Sequence, residues 1–331
     1  MTVQSSISAT EGPIPTRDIE QGKRNLDAYG FTVHEDLLTP DEVSQLRDRL
    51  CEQAELECEE GVATYRLAER VDGAIADRKL GKPPAGASIA WQGVLALVNK
   101  GRDFIDLAMH PVVHEYGRHI LGGTPYYMAQ STGLVVRKGS GGQVMHIDHQ
   151  PIPFQIPVPI YFHAMVALSD FEGDMGATQV VPGSHLSGRA PGIAINPETG
   201  KAETLETVDT VPAVCRAGSA IIFESRLWHF QGTATSDKTR LSILNGYCMH
   251  FIRAQDDYVA SLHDDVYQEL SEEERRMLGF EVVTEYTGRY YPRYAGDERS
   301  NTNARYPFIP ELRRGGSKHA RPFEGMGSNE H

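Results

Sequence analysis

The chain is short of cysteine, of basic charge and of long apolar runs, and each shortage excludes something. Its four cysteines, Cys51, Cys58, Cys215 and Cys248, are scattered and show no CxxC spacing. That argues against a disulfide framework or a thiolate zinc site, so free thiols in a reducing, cytoplasmic setting are expected. Basic residues number 32 against 45 acidic ones, a formal net charge of -13. A surface of that sign repels polyanions, so neither nucleic acid nor an anionic membrane is an expected partner. No stretch approaches the roughly 20 apolar residues a membrane helix requires. The opening MTVQSSISATEGPIPTRD carries no positive n-region and no apolar h-region, unlike a secretory signal. Residues 1–18 are therefore expected to form a loose leader. What remains is ordinary in composition: 331 residues, 40% hydrophobic and 23% charged, enough for one large globular domain.

Helical signals come first along the chain. Residues 19–35 read as a helix followed by a short strand, Tyr29-Gly30-Phe31-Thr32-Val33. Thr39-Pro40-Asp41-Glu42 has the form of a capping box with proline at the first helical position. Val43, Leu46 and Leu50 follow at helical spacing, and the helix is expected to stop near Leu56, leaving an acidic turn over 55–61. A polar loop is expected over 77–86, around Pro83-Pro84. Residues 93–108 look helical, and His110-Pro111 restarts a helix that Gly122-Gly123 ends.

From about residue 125 the period turns strand-like. Runs at 126–136, 163–168, 178–181, 211–214, 220–223 and 241–251 are rich in aromatic and β-branched residues, with Gly and Pro clusters between them. Many short strands with such turns indicate a sandwich or jelly roll. The expected architecture is mainly β with α: an all-β core carrying a layer of N-terminal helices on one sheet. A second capping box, Ser271-Glu272-Glu273-Glu274, opens a short helix after the core. The tyrosine-rich stretch 286–310 has no clean period, and the Gly-rich end of the chain reads as a tail. The expected division is leader 1–18, jelly-roll domain 19–255 and C-terminal extension 256–331.

The chemistry concentrates in Lys138 to Gln150, KGSGGQVMHIDHQ. His146 and Asp148 are two apart, and on an extended strand they point the same way. An imidazole and a carboxylate reaching one point form part of a metal site, and His229 is a candidate third ligand. The bland reading of an HxD pair is chance, in a chain with 13 histidines. His163, set in an apolar run, reads as a hydrogen-bonded core histidine. Arg240 follows His229 by eleven residues (240 − 229 = 11). With 232–237 as a hairpin loop, the two would lie on adjacent antiparallel strands. A guanidinium there could hold a carboxylate bidentately; pairing with a surface acid such as Asp237 is the alternative.

These residues, with Phe104-Ile105-Asp106-Leu107-Ala108-Met109-His110-Pro111, the run from Gly176 to His185 and Trp228-His229, resemble the phytanoyl-CoA dioxygenase family of Fe(II)/2-oxoglutarate-dependent oxygenases. The resemblance spans roughly residues 22–255. It implies a double-stranded β-helix, a jelly roll with helices packed on one sheet. It implies that His146, Asp148 and His229 bind iron and that Arg240 pairs with the distal carboxylate of 2-oxoglutarate. Gln143 and Thr178 match positions that contact the cosubstrate in some members; their bland alternatives are a solvated turn residue and a solvent-facing strand threonine. The implied reaction couples O2 and oxidative decarboxylation of 2-oxoglutarate to oxidation of a substrate C–H bond. The product is an alcohol, or the outcome of desaturation, epoxidation or rearrangement. Halogenases of the wider group carry a small residue where Asp148 stands, so halogenation is disfavoured.

Substrate contacts are expected from the barrel mouth: Tyr127, Met128, Gln130, Phe154 and Phe230. The proline-rich loop 151–159 would be stiff and apolar. A small hydrophobic molecule of secondary metabolism or a catabolic route fits such a rim. Two other readings stand beside this one, a non-catalytic jelly-roll binding protein and a metal-dependent hydrolase. The 286–310 stretch is expected to cover either a homodimer contact or the active site.

Overall fold

In the computed structural model, which describes residues 11–68, 78–148, 157–191, 208–281, 289 and 299, capping chemistry sets the first helices. Asp18 accepts from the backbone of Glu20 and Gln21 and opens α1 (Ile19–Tyr29), and the chain then passes into β1 (Phe31–His34). Thr16 of the expected leader already pairs with His34. Thr39 and Glu42 form the capping box of α2 (Pro40–Glu60). The helix runs past Leu56 because the acidic residues there are good helix formers. It ends where Gly61, at φ 75°, supplies a left-handed cap.

Two stretches depart from the sequence-based expectation. In the stretch read as a polar loop, β3 (Lys79–Leu80) pairs with β2 (Thr64–Leu67), which in turn pairs with β4 (Ile89–Val94). The helix expected over 93–108 is divided. Gly93 and Val94 finish β4, Leu97–Asn99 make a single 3-10 turn, and only α3 (Arg102–Ala108) is helical. Ala96, at φ 50°, interrupts any continuous helix. Then α4 (Pro111–Ile120) restarts after His110 and stops before Gly122 and Gly123.

The remaining strands are β5 (Tyr126–Val136), β6 (Tyr161–Ala167), β7 (Thr178–Val180), β8 (Val211–Pro212), β9 (Ala220–Glu224), β10 (His229–Gln231) and β11 (Arg240–Met249). An eight-stranded sheet runs β1-β9-β6-β11-β5-β4-β2-β3, and a three-stranded sheet runs β10-β7-β8. Every pairing between these strands is antiparallel. The jelly roll follows from strands distant in sequence becoming neighbours. The hairpin expected through 232–237 is absent as a pairing: β10 lies in the small sheet and β11 in the large one. Gly232 and Ala234 bond instead to Ala177 and Ser140, so the connection crosses between sheets.

The two faces of the large sheet bury different clusters. Its outer face, with Phe162, Ala164, Val166, Ile243 and Tyr247, packs under Leu46 and Leu50 of α2, Phe104 and Leu107 of α3 and Val113 and Tyr116 of α4. Three short helices, α5 (Tyr258–Ser261), α6 (Asp264–Glu269) and α7 (Glu272–Met277), add Tyr258, Leu262, Tyr267, Leu270 and Leu278 to that same core. Ser271 and Glu274 form the expected box at the head of α7. Between the sheets lies a second cluster, with Phe31, Val33, Met165, Ile221 and Phe223 meeting Val180 and Ala213. All four cysteines are free, and among the described residues no helix is long and apolar enough to cross a membrane. Most of the stretch 286–310, and with it the expected dimer contact or active-site cover, lies outside the described residues.

Candidate active site

His146 and His229 are held by each other's backbone. They form an isolated antiparallel bridge in which each N–H donates to the other's carbonyl at 3.0 Å. Their rings lie 4.4 Å apart, centroid to centroid. Each ring then uses Nδ1 on a carbonyl two residues back: Val144 O at 2.8 Å for His146 and Leu227 O at 2.9 Å for His229. A carbonyl only accepts, so each Nδ1 carries the proton and each Nε2 keeps its lone pair. Asp148 is placed by its own N–H, which donates to Ser225 O at 2.9 Å. Its Oδ1 stands 3.6 Å from His229 Nε2 and 4.0 Å from His146 Nε2.

These three donors all lie within 4.8 Å of one another and could hold a metal ion. Burial alone would raise the Asp148 carboxyl, but His229, His163 and His146 outweigh it and hold the group well below the usual carboxylate range. Burial pushes His229 down more strongly than Asp148 raises it, which favours the neutral ring a metal needs. The even spacing of an HxD on a strand thus appears here as a single bridged residue that leads into a turn at Asp148, not a full strand.

Arg240 opens β11 and is 1% exposed. Its Nη1 approaches Met165 Sδ at 3.7 Å, and its guanidinium lies 4.9 Å over the ring of Phe171. Nε has no partner. Among the described residues no carboxylate pairs with it. The titratable group that acts on it is Cys215, whose thiol burial pushes up to about 12 and so keeps neutral. Burial lowers the Arg240 guanidinium to about 10, which still leaves it charged at neutral pH. Asp237, the alternative partner, instead pairs with Lys138 at 2.9 Å.

The other candidates fall in several places. Thr178 is buried on the inner side of β7, its Oγ1 3.6 Å from the same Met165 sulfur that Arg240 touches; it does not face solvent. Gln143 binds the backbone of β10, its Oε1 accepting from Gln231 N–H at 3.0 Å. Tyr127 faces inward beside Cys248 and donates to Ile252 O. Met128 turns the other way and is fully buried in the helix-side core, so its side chain does not reach the barrel mouth. Phe230 lies on the face of β10 opposite His229, against Met145, Val181 and Trp228. Phe154 lies outside the described residues.

Gln130 does not stand alone: its amide meets His163, Nε2 to Nε2, at 3.1 Å. His163 is buried, as a core histidine would be, yet its Nδ1 stands 3.2 Å from Asp148 Oδ2. Sequence reasoning missed that contact, along with Met165 and Phe171 beside Arg240. The only signal for His163 was an imidazole at even spacing from Met165 on one strand.

The family model for phytanoyl-CoA dioxygenase (PhyH) matches residues 26–242. An uncharacterised protein of Mycobacterium tuberculosis is 29% identical over 282 residues, covering 83% of this chain and 92% of that one. Dioxygenase trt7 of Aspergillus terreus is 26% identical over 211 residues, 59% of this chain and 65% of its own length. Among solved structures, the epimerase SnoN in complex with Fe3+, alpha ketoglutarate and nogalamycin RO shares the fold. It matches with a TM-score of 0.52 and 21% identity over 72% of this chain and 86% of its own. A match over that much of the sequence, on the fold just described, means that the chain belongs to the phytanoyl-CoA dioxygenase family.

Proposed function

We propose that this protein is an Fe(II)- and 2-oxoglutarate-dependent oxygenase that oxidises a C–H bond of a small, apolar organic molecule. Arg240 carries the reading. A guanidinium wholly buried in the barrel, with no acid among the described residues paired to it, is costly to keep. A dicarboxylate cosubstrate would supply the missing charge with matching two-point geometry. The row of inward residues on β6 links the two ends of the site. His163 touches Asp148 and Met165 touches Arg240, and residues two apart on a strand are separated by about 7 Å. A short ligand can therefore reach from one end to the other.

His146, Asp148 and His229 offer the two-imidazole, one-carboxylate set that suits non-haem ferrous iron and leaves coordination positions open. When bound, iron with 2-oxoglutarate and O2 would supply the C–H oxidation, the cosubstrate leaving as succinate and CO2. The chain's own part is to bind, orient and keep dry. Val144 and Leu227 carbonyls fix the two imidazoles. Arg240 would anchor the distal carboxylate, with the Thr178 hydroxyl nearby. Phe171 under the Arg240 guanidinium and Phe223 against the His229 ring belong to one buried apolar cluster, which would keep water out. Names among the relatives, a fungal dioxygenase and a nogalamycin epimerase, support a place in secondary metabolism.

The test offers a panel of apolar natural products and follows both succinate formed from 2-oxoglutarate and loss of the organic substrate, with Fe(II), 2-oxoglutarate and O2 each left out in turn. All three should be required. Turnover that persists without O2 and 2-oxoglutarate would replace this reading with metal-assisted hydrolysis.

A further inference from the structure

Three strands meet in one row of the barrel wall. Gln130 on β5 and His163 on β6 both stand opposite Gly246 on the strand between them, β11. Paired residues point to the same face, so all three face inward. Gly246 leaves a gap in the middle strand. A Cβ there would sit 2.9 Å from Gln130 Cγ and 2.9 Å from His163 Nε2. A glycine inside a long strand weakens it, and is found where another group must come close. Here the gap lets the Gln130 amide cross β11 and reach the imidazole.

With the Gln130 amide nitrogen turned to the ring, the contact selects one tautomer of His163. The Gln130 amide N–H donates, so His163 Nε2 accepts and Nδ1 is left protonated. Nδ1 lies 3.2 Å from Asp148 Oδ2. Two lone pairs would repel at that distance, whereas N–H against a carboxylate attracts. The approach is angled and falls short of a formed hydrogen bond, and neither atom makes a hydrogen bond elsewhere. Phe223 stacks on the His163 ring at 5.2 Å and also contacts the His229 ring at 4.9 Å, so the imidazole is held in place. Meanwhile Asp148 Oδ1 is the oxygen turned to the two Nε2 atoms.

We infer that Gln130 and His163, meeting over Gly246, position Asp148: they hold its outer oxygen so that a single oxygen faces the metal. Both are positioning residues, and Gln130 thereby acquires a role other than substrate contact. Without them Asp148 is free to turn and chelate through both oxygens, taking a coordination place that the cosubstrate needs. The inference rests on the metal-binding half of the proposed function.

The experiment uses the full chain and Mn(II) alone as probe. Mn(II) binding is followed by electron paramagnetic resonance, then 2-oxoglutarate binding to the Mn(II)-loaded protein. His163→Phe and Gln130→Leu should each weaken Mn(II) binding by about 10- to 100-fold, the usual effect of losing a residue that orients a ligand. His163→Asn should restore most of it, because the Asn amide can donate from nearly the place of Nδ1. The 2-oxoglutarate affinity of His163→Phe should fall further than its Mn(II) affinity. Asp148→Ala is the control and should abolish binding. If wild type fails to bind Mn(II), or Asp148→Ala binds as well as wild type, the metal reading fails and the inference with it. If those controls behave and the His163→Phe and Gln130→Leu proteins bind as wild type, the positioning role alone is overturned. It is also overturned if His163→Asn binds no better than His163→Phe, since bulk rather than the donor would then matter. Should His163→Phe not fold, Gln130→Leu and His163→Asn decide.

Discussion

The two faces of β5, β11 and β6 differ in what they leave undone. On the helix side Phe162, Ala164, Val166, Ile243 and Tyr247 form a closed apolar layer. The polar atoms on that side are paired: Tyr247 donates to Ala108 O at 2.7 Å, Ser131 bonds Asn245 at 2.8 Å, and His114 uses both ring nitrogens. On the barrel side the same three strands carry Arg240 Nε and Ser242 Oγ, buried and without a hydrogen-bond partner, and His163 Nδ1, which forms no hydrogen bond but faces Asp148 at 3.2 Å. Among the described residues of these strands, every such orphan is on the inner face. Buried polar groups are normally satisfied, and leaving one open costs about 1–3 kcal/mol. One face is therefore finished by the chain itself, and the other keeps open polar groups that the proposed ligands would complete.

Substitutions on each face should separate the two roles. The largest effect belongs to Asp148→Ala on the inner side: succinate formation should fall below detection while the thermal unfolding curve stays close to wild type. Phe162→Ala, on the outer side, should do the reverse. It removes a fully buried ring stacked on Tyr247 at 4.6 Å and should lower unfolding free energy by about 3–5 kcal/mol. Denaturant titration would measure that loss, and activity per folded molecule should persist. If Phe162→Ala abolished turnover in fully folded protein, the division between faces would fail.

Smaller changes sharpen the contrast. Arg240→Met removes a buried charge that has no counter-ion among the described residues, so the ligand-free protein should become more stable, by about 1–4 kcal/mol. Added 2-oxoglutarate with Mn(II) should raise the melting temperature of wild type more than that of this variant. A variant less stable than wild type without ligand would mean that Arg240 has a structural partner after all. Thr39→Ala touches neither face. Loss of its cap should cost about 1 kcal/mol and leave activity unchanged, which sets the scale for a purely local effect.

Local patterns carried most of the fold into the sequence. The capping boxes at Thr39 and Ser271 and the strand runs of β5 and β11 depend on neighbours a few residues away, and they stand where the sequence places them. So does the HxD, whose two side chains need only extended chain between them. What was hidden depends on pairing at a distance. β10 has three residues, too few to show a period, so its membership of the small sheet and the crossing to Arg240 could not be read. β4 is buried along almost its whole length, which removes the alternation that marks a strand and lets Val94, Leu97 and Val98 pass for a helix. The same loss of alternation in β6 made His163 look like any core residue. Its partner Asp148 lies on a segment that forms no ladder with β6, so no spacing rule joins them.

The most direct test of the account is calorimetric titration of 2-oxoglutarate into Mn(II)-loaded wild type and Arg240→Ala. If Arg240 is the anchor that the barrel keeps uncompensated, the variant should bind at least ~30-fold more weakly, equivalent to about 2 kcal/mol. Equal affinities in the two proteins would contradict it.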